Sequence, residues 1–281
     1  MSDKTPPVEL TDEFTKSSGI IVLLDALGTR AATIEQAHSY LASLAILQDE
    51  VENTLQFHLS SHPKETLEFY KKLSIHFFGD SVLMIYDTVA GQPLHTYLDY
   101  LSTILNLLYI EALEVGILFR GALSIGDYIQ QKEKQVVLGP AVSDAAAWYD
   151  QFDFIGTAAT PFATTQIHNA FCECYPEFDK PWEIETSSML LYPVPLKGGG
   201  THDLFAFNWP GAIGYKASPK GQFLSELQYH QHYCALIKRY PIPFGTERKF
   251  ANTDLFVKTG CSAWHSAQSL LATSAPRPKS E

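Results

Sequence analysis

The first strongly apolar stretch of the chain is a run of six small or apolar residues, Gly19 to Leu24, rich in β-branched side chains. It is too short to span a membrane, and its composition is typical of a central strand covered on both faces. Asp25, Leu27-Gly28 and a helical pattern follow. This order predicts a carboxylate at the end of a buried strand, beside a turn whose N–H groups can bind phosphate; a helix N-cap is the alternative role for Asp25.

The rest of the chain alternates between helical and strand patterns. Helical spacing of apolar residues predicts helices at 33–59 (one long helix or two), 94–114 ended by Gly116, 140–148, 161–171 and 222–239. Strand patterns occur at 19–24, at 73–86 as a hairpin turning at Gly79-Asp80, and at 117–127, 136–138, 152–155, 182–191 and 204–209.

This element order predicts an α+β sandwich, in which helices pack against an antiparallel-rich sheet and which is close to two linked βαβ units. We expect one domain over residues 18–258, a flexible lead at 1–17 and a tail at 259–281. Small residues interrupt the strand at 117–127, which predicts a close backbone approach there.

Composition and charge narrow the functional classes. Charged residues make up 18% of the chain and hydrophobic residues 46%, as in an ordinary folded protein. The net charge of −11 argues against a nucleic-acid surface, although a divalent cation would allow a small anionic substrate. The polar start and the lack of a membrane-length apolar run predict a cytoplasmic protein without membrane contact. The four cysteines lack C-x-x-C spacing and are expected to be reduced thiols.

Four motifs in order resemble the catalytic domain of class III nucleotidyl cyclases. Asp25-Ala-Leu-Gly-Thr-Arg30 resembles that family's Asp-Ile-x-Gly-Phe-Thr, and Gly79-Asp80 its hairpin Gly-Asp. Arg120-Gly-Ala-Leu-Ser-Ile-Gly126 is similar to Arg-x-Gly-x-His-x-Gly, and Gly139-Pro-Ala-Val-Ser143 to Gly-x-x-Val-Asn. The similarity covers residues 19–165, and residues 170–258 are expected to complete and cover the sheet.

The resemblance implies a nucleoside triphosphate substrate and two divalent ions, Mg²⁺ or Mn²⁺, a choice that fits hard oxygen ligands. The implied ion ligands are Asp25, Asp80 and the backbone carbonyl of Ala26. Triphosphate binding is assigned to the N–H groups of Leu27, Gly28 and Thr29 and to the side chains of Arg30 and Arg120. An ion pair is an equal alternative for Arg120. We expect Asp25→Ala and Asp80→Ala to leave the fold intact, because turn carboxylates that repel each other seldom stabilise a core.

The departures from the family concern the base and the transition state. His76 stands where purine cyclases carry a Lys or Glu that selects the base, although a core histidine is an alternative. Val136 stands at the position of a second base-selecting residue. Ser143 and Ala147 replace the transition-state Asn and Arg. The chain therefore resembles the bacterial pyrimidine cyclases of the Pycsar anti-phage system, which make cyclic UMP or cyclic CMP for an effector. A purine cyclase and an inactive nucleotide-binding module remain alternatives.

The resemblance also implies a homodimer whose sites are shared between two chains. The base-facing strand and the helix after Gly139 would come from the partner of the chain that supplies the metal carboxylates. Candidate pairing residues are Val136 to Leu138 and Trp148, with a core position as the alternative for Trp148. In the C-terminal part, Glu247 to Phe250 is expected to be a solvated turn, with a phosphate-facing cation as the alternative.

Overall fold

A computed structural model describes residues 14–28, 33–61, 68–89, 91–131, 136–180, 188–217, 225–237, 242 and 245–274. The strands are β1 (Thr15–Ala26), β2 (Leu73–Phe78), β3 (Ser81–Asp87), β4 (Phe119–Gln131), β5 (Val136–Leu138), β6 (Gly156–Ala159), β7 (Met189–Pro195) and β8 (Thr201–Phe207). The helices are α1 (Ile34–Ser61), α2 (Leu94–Val115), α3 (Pro140–Trp148), α4 (Pro161–Cys174), α5 (Trp209–Ala217), α6 (Glu226–Ile237) and α7 (Glu247–Ser274).

The strands of the described residues form one sheet in the order β2-β3-β1-β4-β6-β8-β7, with β5 paired to β4. Only the β4–β6 pair is parallel among these strands. Strand β1 pairs with β3 from Gly19 to Asp25 and with β4 along its whole length. The predicted α+β fold with an antiparallel-rich sheet and packed helices is confirmed.

Both faces of β1 are covered, as its sequence predicts. Ile20, Val22 and Leu24 belong to the main core, which also contains the buried side of α2. The alternate residue Ile21 lies in a second, smaller core with Leu83, Ile85 and Tyr128 of the neighbouring strands and with Ala141 and Ala145 of α3. Because side chains alternate along a strand, Asp25 points to the side of this smaller core.

The helix ends follow local chemistry. Thr33 and Gln36 form a reciprocal cap before α1, in which each backbone N–H donates to the other side-chain oxygen at 2.8 and 3.3 Å. Gly116 ends α2 in the left-handed region at φ 92°, which confirms its predicted role. Prolines begin α3 and α4 as expected, and the Thr160 hydroxyl caps α4.

Two predicted boundaries, those of the lead and the tail, are wrong, and one helix was not predicted. Strand β1 begins at Thr15 within the expected lead, because its polar first residues, 15–18, pair with residues 127–130 of β4. Trp209 begins a helix that the sequence did not predict, and its indole N–H donates to the Ile155 carbonyl. Helix α7 continues to Ser274, so residues 259–274 of the expected tail are helical.

The predicted strand at residues 152–155 is also wrong, since β6 starts only at Gly156. Side chains of α7 satisfy the backbone of this segment: the Ile155 N–H donates to Thr253 and the Asp153 carbonyl accepts from Asn252, both at 2.8 Å. The predicted strand at 182–191 is found at 189–195, and residues 181–187 lie outside the described ones.

We predict that Gly121→Ala destabilises the protein by about 1–3 kcal/mol, because a β-carbon there meets the Leu24 side chain and lies 2.7 Å from the Leu23 carbonyl oxygen. This contact confirms the close approach expected of the small residues in β4. Gly198→Ala is the matched control, since a β-carbon there meets no atom within 4 Å. Urea unfolding measures both; equal stabilities would contradict the packing at Gly121.

Candidate active site

Asp25 and Asp80 lie at the same corner of the sheet, the carboxylate corner. Asp25 is the next-to-last residue of β1 and is opposite Ser81 of β3, while Asp80 belongs to the β2–β3 turn. The Ala26 N–H donates to the Asp80 carbonyl oxygen at 2.9 Å, which holds the turn against the end of β1. Asp25 is buried and Asp80 half-buried. The two predicted carboxylates are therefore neighbours across adjacent strands.

A buried arginine neutralises Asp25. Arg120, directly opposite on β4, is 5% exposed and donates to Asp25 Oδ2 from Nη2 at 3.0 Å and from Nε at 3.3 Å. Its Nη1 donates to the Asp150 carbonyl at 3.1 Å, and its guanidinium carbon lies 5.9 Å from the centre of the Tyr149 ring. The ion-pair alternative for Arg120 is found, but inside the protein, where a lost partner is costly.

Helix α7 brings a second buried cation to this pair. Lys249, in the first turn of α7, is 7% exposed. The charges of Arg120, Asp153, Lys197 and Asp25 all act on it, so it belongs to the same electrostatic cluster. Burial, then the nearby Arg120, lowers the pKa of Lys249 to about 8. The solvated turn expected at residues 247–250 is thus wrong.

Arg248 fixes the start of α7 over the sheet. Its Nε donates to Asp153 Oδ2 at 2.6 Å, and its Nη2 donates to the Leu196 carbonyl at 2.6 Å. Lys197 in the β7–β8 turn pairs with Asp150 at 3.4 Å. Segment 150–153 is therefore joined to Arg120, to the β7–β8 turn and to α7 by hydrogen bonds and ion pairs. A Glu-Arg-Lys run after a Pro-rich stretch was the only sequence signal for this part of the site.

Tyr40 is a site residue that sequence analysis missed. Its hydroxyl is enclosed and has no hydrogen-bond partner among the described residues, and the charges of both Asp80 and Asp25 act on it. Burial, then these carboxylates, raises the pKa of Tyr40, so the phenol keeps its proton. It lines a groove of about 530 Å³ between α1 and the Gly116–Ile117 turn. Its helical spacing alone marked it as an ordinary core residue.

The loop after β1 differs in part from the predicted phosphate cradle. The Leu27 N–H donates to the Leu118 carbonyl at 2.8 Å and is not free for a ligand, so this predicted contact is wrong. The turn continues the β1–β4 ladder by one bond, which uses that donor. Gly28 is exposed with φ 90°, a conformation that favours glycine. Thr29 and Arg30 lie outside the described residues.

His76 occupies the same sheet face as Asp25, in the adjacent row. It is opposite Leu83, which is opposite Leu23 on β1. His76 is half-buried and stacks on Phe78 with ring centres 6.1 Å apart, and burial lowers its pKa. Two strand spacings, roughly 10 Å, separate β2 from β1. His76 and Asp25 therefore lie on one sheet face of the same chain, about two strand spacings apart.

Val136 and Ser143 lie far from Asp25 in the same chain. Val136 is opposite Gln131, whereas Asp25 is opposite Arg120, so the two lie roughly 35 Å apart along β4. Ser143 is exposed on α3, whose Asp144 accepts from Ser124 at 2.7 Å, further along β4 than Arg120. One chain therefore does not bring these residues to the carboxylate corner. Trp148 packs against the core and contacts Phe152, so the expected alternative for this residue is found.

The carboxylate corner has oxygen donors for a divalent cation. Within the described residues, Asp25 Oδ1 takes no hydrogen bond, because Arg120 uses only Oδ2. The adjacent Asp80 carboxylate and Asp25 both act electrostatically on the enclosed Tyr40 hydroxyl. Among the described residues, no three His, Cys, Asp or Glu side chains converge, so further ligands would be backbone, water or substrate oxygens. Such a set fits Mg²⁺ or Mn²⁺, which keep several water or phosphate ligands.

No protein-family model and no curated protein sequence matches the chain. Among solved structures it is similar to the catalytic core of a rhodopsin-guanylyl cyclase with converted specificity in complex with ATPαS: identity is 12% and TM-score 0.41, over 69% of this chain and 98% of that one. It is also similar to a class III adenylyl cyclase-like ATP-binding protein from Pseudomonas aeruginosa, at 14% identity and TM-score 0.35, over 61% of this chain and 41% of that one. The function of this chain has to rest on its own residues.

Within the part of the chain that the structure describes, no helix combines the length and the apolar character that crossing a bilayer requires. All four cysteines are free thiols, as expected.

We predict that Arg120→Met destabilises the protein by roughly 3–5 kcal/mol, because it leaves the buried Asp25 carboxylate without its partner. Asp25→Ala should also destabilise, because it leaves Arg120 unpaired, so the expectation that this change spares the fold is revised. The double variant Asp25→Ala/Arg120→Met should recover part of the loss. Denaturant unfolding of the four proteins measures the coupling; purely additive losses would contradict a direct pair.

Proposed function

We propose that the protein is a nucleotidyl cyclase that converts a pyrimidine nucleoside triphosphate, UTP or CTP, to the 3′,5′-cyclic monophosphate and diphosphate. The observation that carries this proposal is that Asp25 and Asp80 meet at the ends of adjacent strands. Among the described residues Asp25 Oδ1 accepts no hydrogen bond, and both carboxylates act electrostatically on the enclosed Tyr40 hydroxyl. The ordered resemblance to class III cyclases supports the same assignment.

The chemistry needs charge neutralised on two sides. The ribose 3′ oxygen attacks the α-phosphorus, the bond to the β-phosphate oxygen breaks, diphosphate leaves, and the 3′ proton goes to solvent or a nearby base. Asp25, Asp80 and the Ala26 carbonyl would hold two divalent ions, Mg²⁺ or Mn²⁺, which neutralise the attacking and leaving oxygens when bound. Arg120, with three N–H bonds that fix its plane, provides a preorganised positive charge beside them.

Pyrimidine specificity is supported by the residues at the base-reading positions. His76 is half-buried, with a pKa lowered by burial, and a neutral imidazole can donate and accept one hydrogen bond each. Val136, 42% exposed, offers no side-chain hydrogen bond to any base, whereas purine cyclases carry Asp or a small polar residue at the corresponding position. The product would then be a second messenger for an effector, as the Pycsar resemblance implies.

The proposed active unit is a homodimer with two shared sites. Val136 and Ser143 lie too far from Asp25 to serve the same site within one chain, whereas a symmetric head-to-tail pair brings one chain's β5 and α3 to the other chain's carboxylates. The exposed apolar side chains of Val136 and Leu138, at 42% and 68% exposure, provide contact area for such pairing.

A nucleotide-binding module without turnover is the second candidate, and one observation favours it. Arg120 takes up Oδ2 of Asp25, and a bound arginine weakens the attraction of that carboxylate for a cation. If the protein is such a module, the basic side chains near Asp25, Arg120 among them, would bind the triphosphate without catalysis. Product analysis separates it from a cyclase of either base class.

The proposed activity is tested by incubating the purified protein with ATP, GTP, UTP or CTP and Mn²⁺, and identifying cyclic products by mass. We expect cyclic UMP or cyclic CMP. Asp80→Ala should lower turnover roughly a thousandfold or more while the fold survives, because the half-buried turn carboxylate contributes to ion binding. Asp179→Ala is the control, an exposed acid away from the corner. Cyclic AMP or cyclic GMP would show that the substrate is a purine nucleotide and contradict the pyrimidine assignment. The absence of any cyclic product with any metal would favour the nucleotide-binding module.

Shared sites are tested by complementation between two inactive variants. Asp80→Ala removes a metal carboxylate, and Ser143→Trp blocks the opposite half-site by bulk at an exposed position. Each alone should be inactive. After subunit exchange, half of the dimers should be heterodimers with one intact site, so activity should return to about a quarter of wild type. If exchange is shown by native mass measurements and activity stays absent, each chain holds a complete site of its own.

A further inference from the structure

Lys249 is a buried ammonium with no hydrogen-bonding partner in the described part of the chain. The residue is 7% exposed, and no acceptor among the described residues lies within hydrogen-bonding or ion-pairing distance of it. Its Nζ is not among the fully enclosed atoms that lack a partner, so the ammonium keeps a small opening to solvent. This combination is unusual, because buried lysines are almost always paired.

The charges around Lys249 do not explain its burial as a structural ion pair. Arg120 and Lys197 repel the ammonium, and Asp153 and Asp25 attract it from beyond contact distance. Both carboxylates already have nearer cationic partners, since Arg248 binds Asp153 at 2.6 Å and Arg120 binds Asp25 at 3.0 Å. The ammonium therefore has three donors and no remaining anion for them in this cluster.

The surroundings favour an incoming anion. Lys249 lies in the first turn of the long helix α7, where backbone N–H groups are free of helical partners and the helix dipole is positive. Arg120, the charged group that acts most strongly on Lys249, holds the carboxylate that the proposed reaction uses. An anion that contacts both side chains would thus extend toward the Asp25–Asp80 corner.

We propose that Lys249, with Arg120, forms a subsite for the polyphosphate chain of the substrate, so that the C-terminal helix α7 completes the site of this protein. The identity of the ligand rests on the proposed function: it is the phosphate groups of a nucleoside triphosphate. Lys249 itself lies outside the four motifs that resemble the cyclases. Lys249 thereby provides a cation in a part of the chain to which the family resemblance at 19–165 does not extend.

Binding of an anion should be linked to proton uptake. In the free protein the pKa of Lys249 is about 8, below its ordinary value, so at pH 8 a substantial fraction of the side chain is neutral. A bound polyphosphate raises this pKa, and the side chain takes up a proton on binding. The same linkage makes folding more favourable as pH rises from about 8 toward 10.5, because the unfolded chain then binds more protons at this residue.

The probe is inorganic tripolyphosphate, which has no base, titrated into the full chain with Mg²⁺ at pH 8 by calorimetry in buffers of different ionisation enthalpy. We expect wild-type protein to bind it and take up a fraction of a proton. Lys249→Met should weaken binding at least tenfold and abolish the extra proton uptake. Lys249→Arg should retain binding within a few-fold but lose the proton uptake, because arginine does not titrate.

Lys258→Met is the matched control on the same helix. Lys258 is exposed and pairs with Asp254 at 2.7 Å, so its loss should leave tripolyphosphate binding unchanged. Lys249→Met should fold with a Tm equal to or above that of wild type, because it removes an unpaired buried charge; a structural lysine would instead lose stability. Unchanged binding by Lys249→Met, or no binding by wild type, would overturn the subsite.

The two proposals fail separately. Cyclic nucleotide formation without Lys249-dependent tripolyphosphate binding overturns the subsite and leaves the cyclase assignment standing. Lys249-dependent binding without any cyclic product overturns the cyclase assignment and leaves an anion-binding site in this cluster.

Discussion

The buried ion pair between Asp25 and Arg120 is the interaction on which the site depends. It joins the ends of β1 and β4, the two central strands, and it sets which oxygen of Asp25 remains available to a cation. A buried pair of this kind contributes little net stability, but the loss of either partner is costly. The corner therefore combines a constraint on the fold with a proposed metal ligand, and substitutions at Asp25 cannot be interpreted through activity alone.

The length of β4 determines how far apart the candidate site residues lie within one chain. The strand carries Arg120 at one end and pairs with β5 at the other, so the carboxylate corner and Val136, to which the proposed function assigns base contact, are separated within a chain. Symmetric pairing of two chains is the simplest way to bring such separated halves together, since it uses the same surfaces twice. Helix α7 adds a further element, because it delivers Lys249 to the corner from the end of the chain.

The sequence predicted the elements whose signals are local. The apolar run of β1, the Gly79-Asp80 hairpin, the glycine end of α2 and the proline starts of α3 and α4 depend on neighbouring residues. The segment at 152–155 has the residues of a strand, but α7, about a hundred residues away, satisfies its backbone. Tyr40 could not be assigned from sequence, and a phosphate-facing cation at 247–250 was only an alternative, for the same reason: the burial and charge of Tyr40 and Lys249 arise from elements distant in the chain.

The central claim is that the Asp25–Asp80 corner binds a divalent cation together with a nucleoside triphosphate. The most direct measurement is anomalous diffraction from crystals grown with Mn²⁺ and 3′-deoxy-UTP or 3′-deoxy-CTP, which cannot cyclise. The account predicts manganese peaks within about 2.5 Å of carboxylate oxygens of both Asp25 and Asp80, with phosphate density beside them. Nucleotide density elsewhere, with no manganese peak at these two residues, would contradict it.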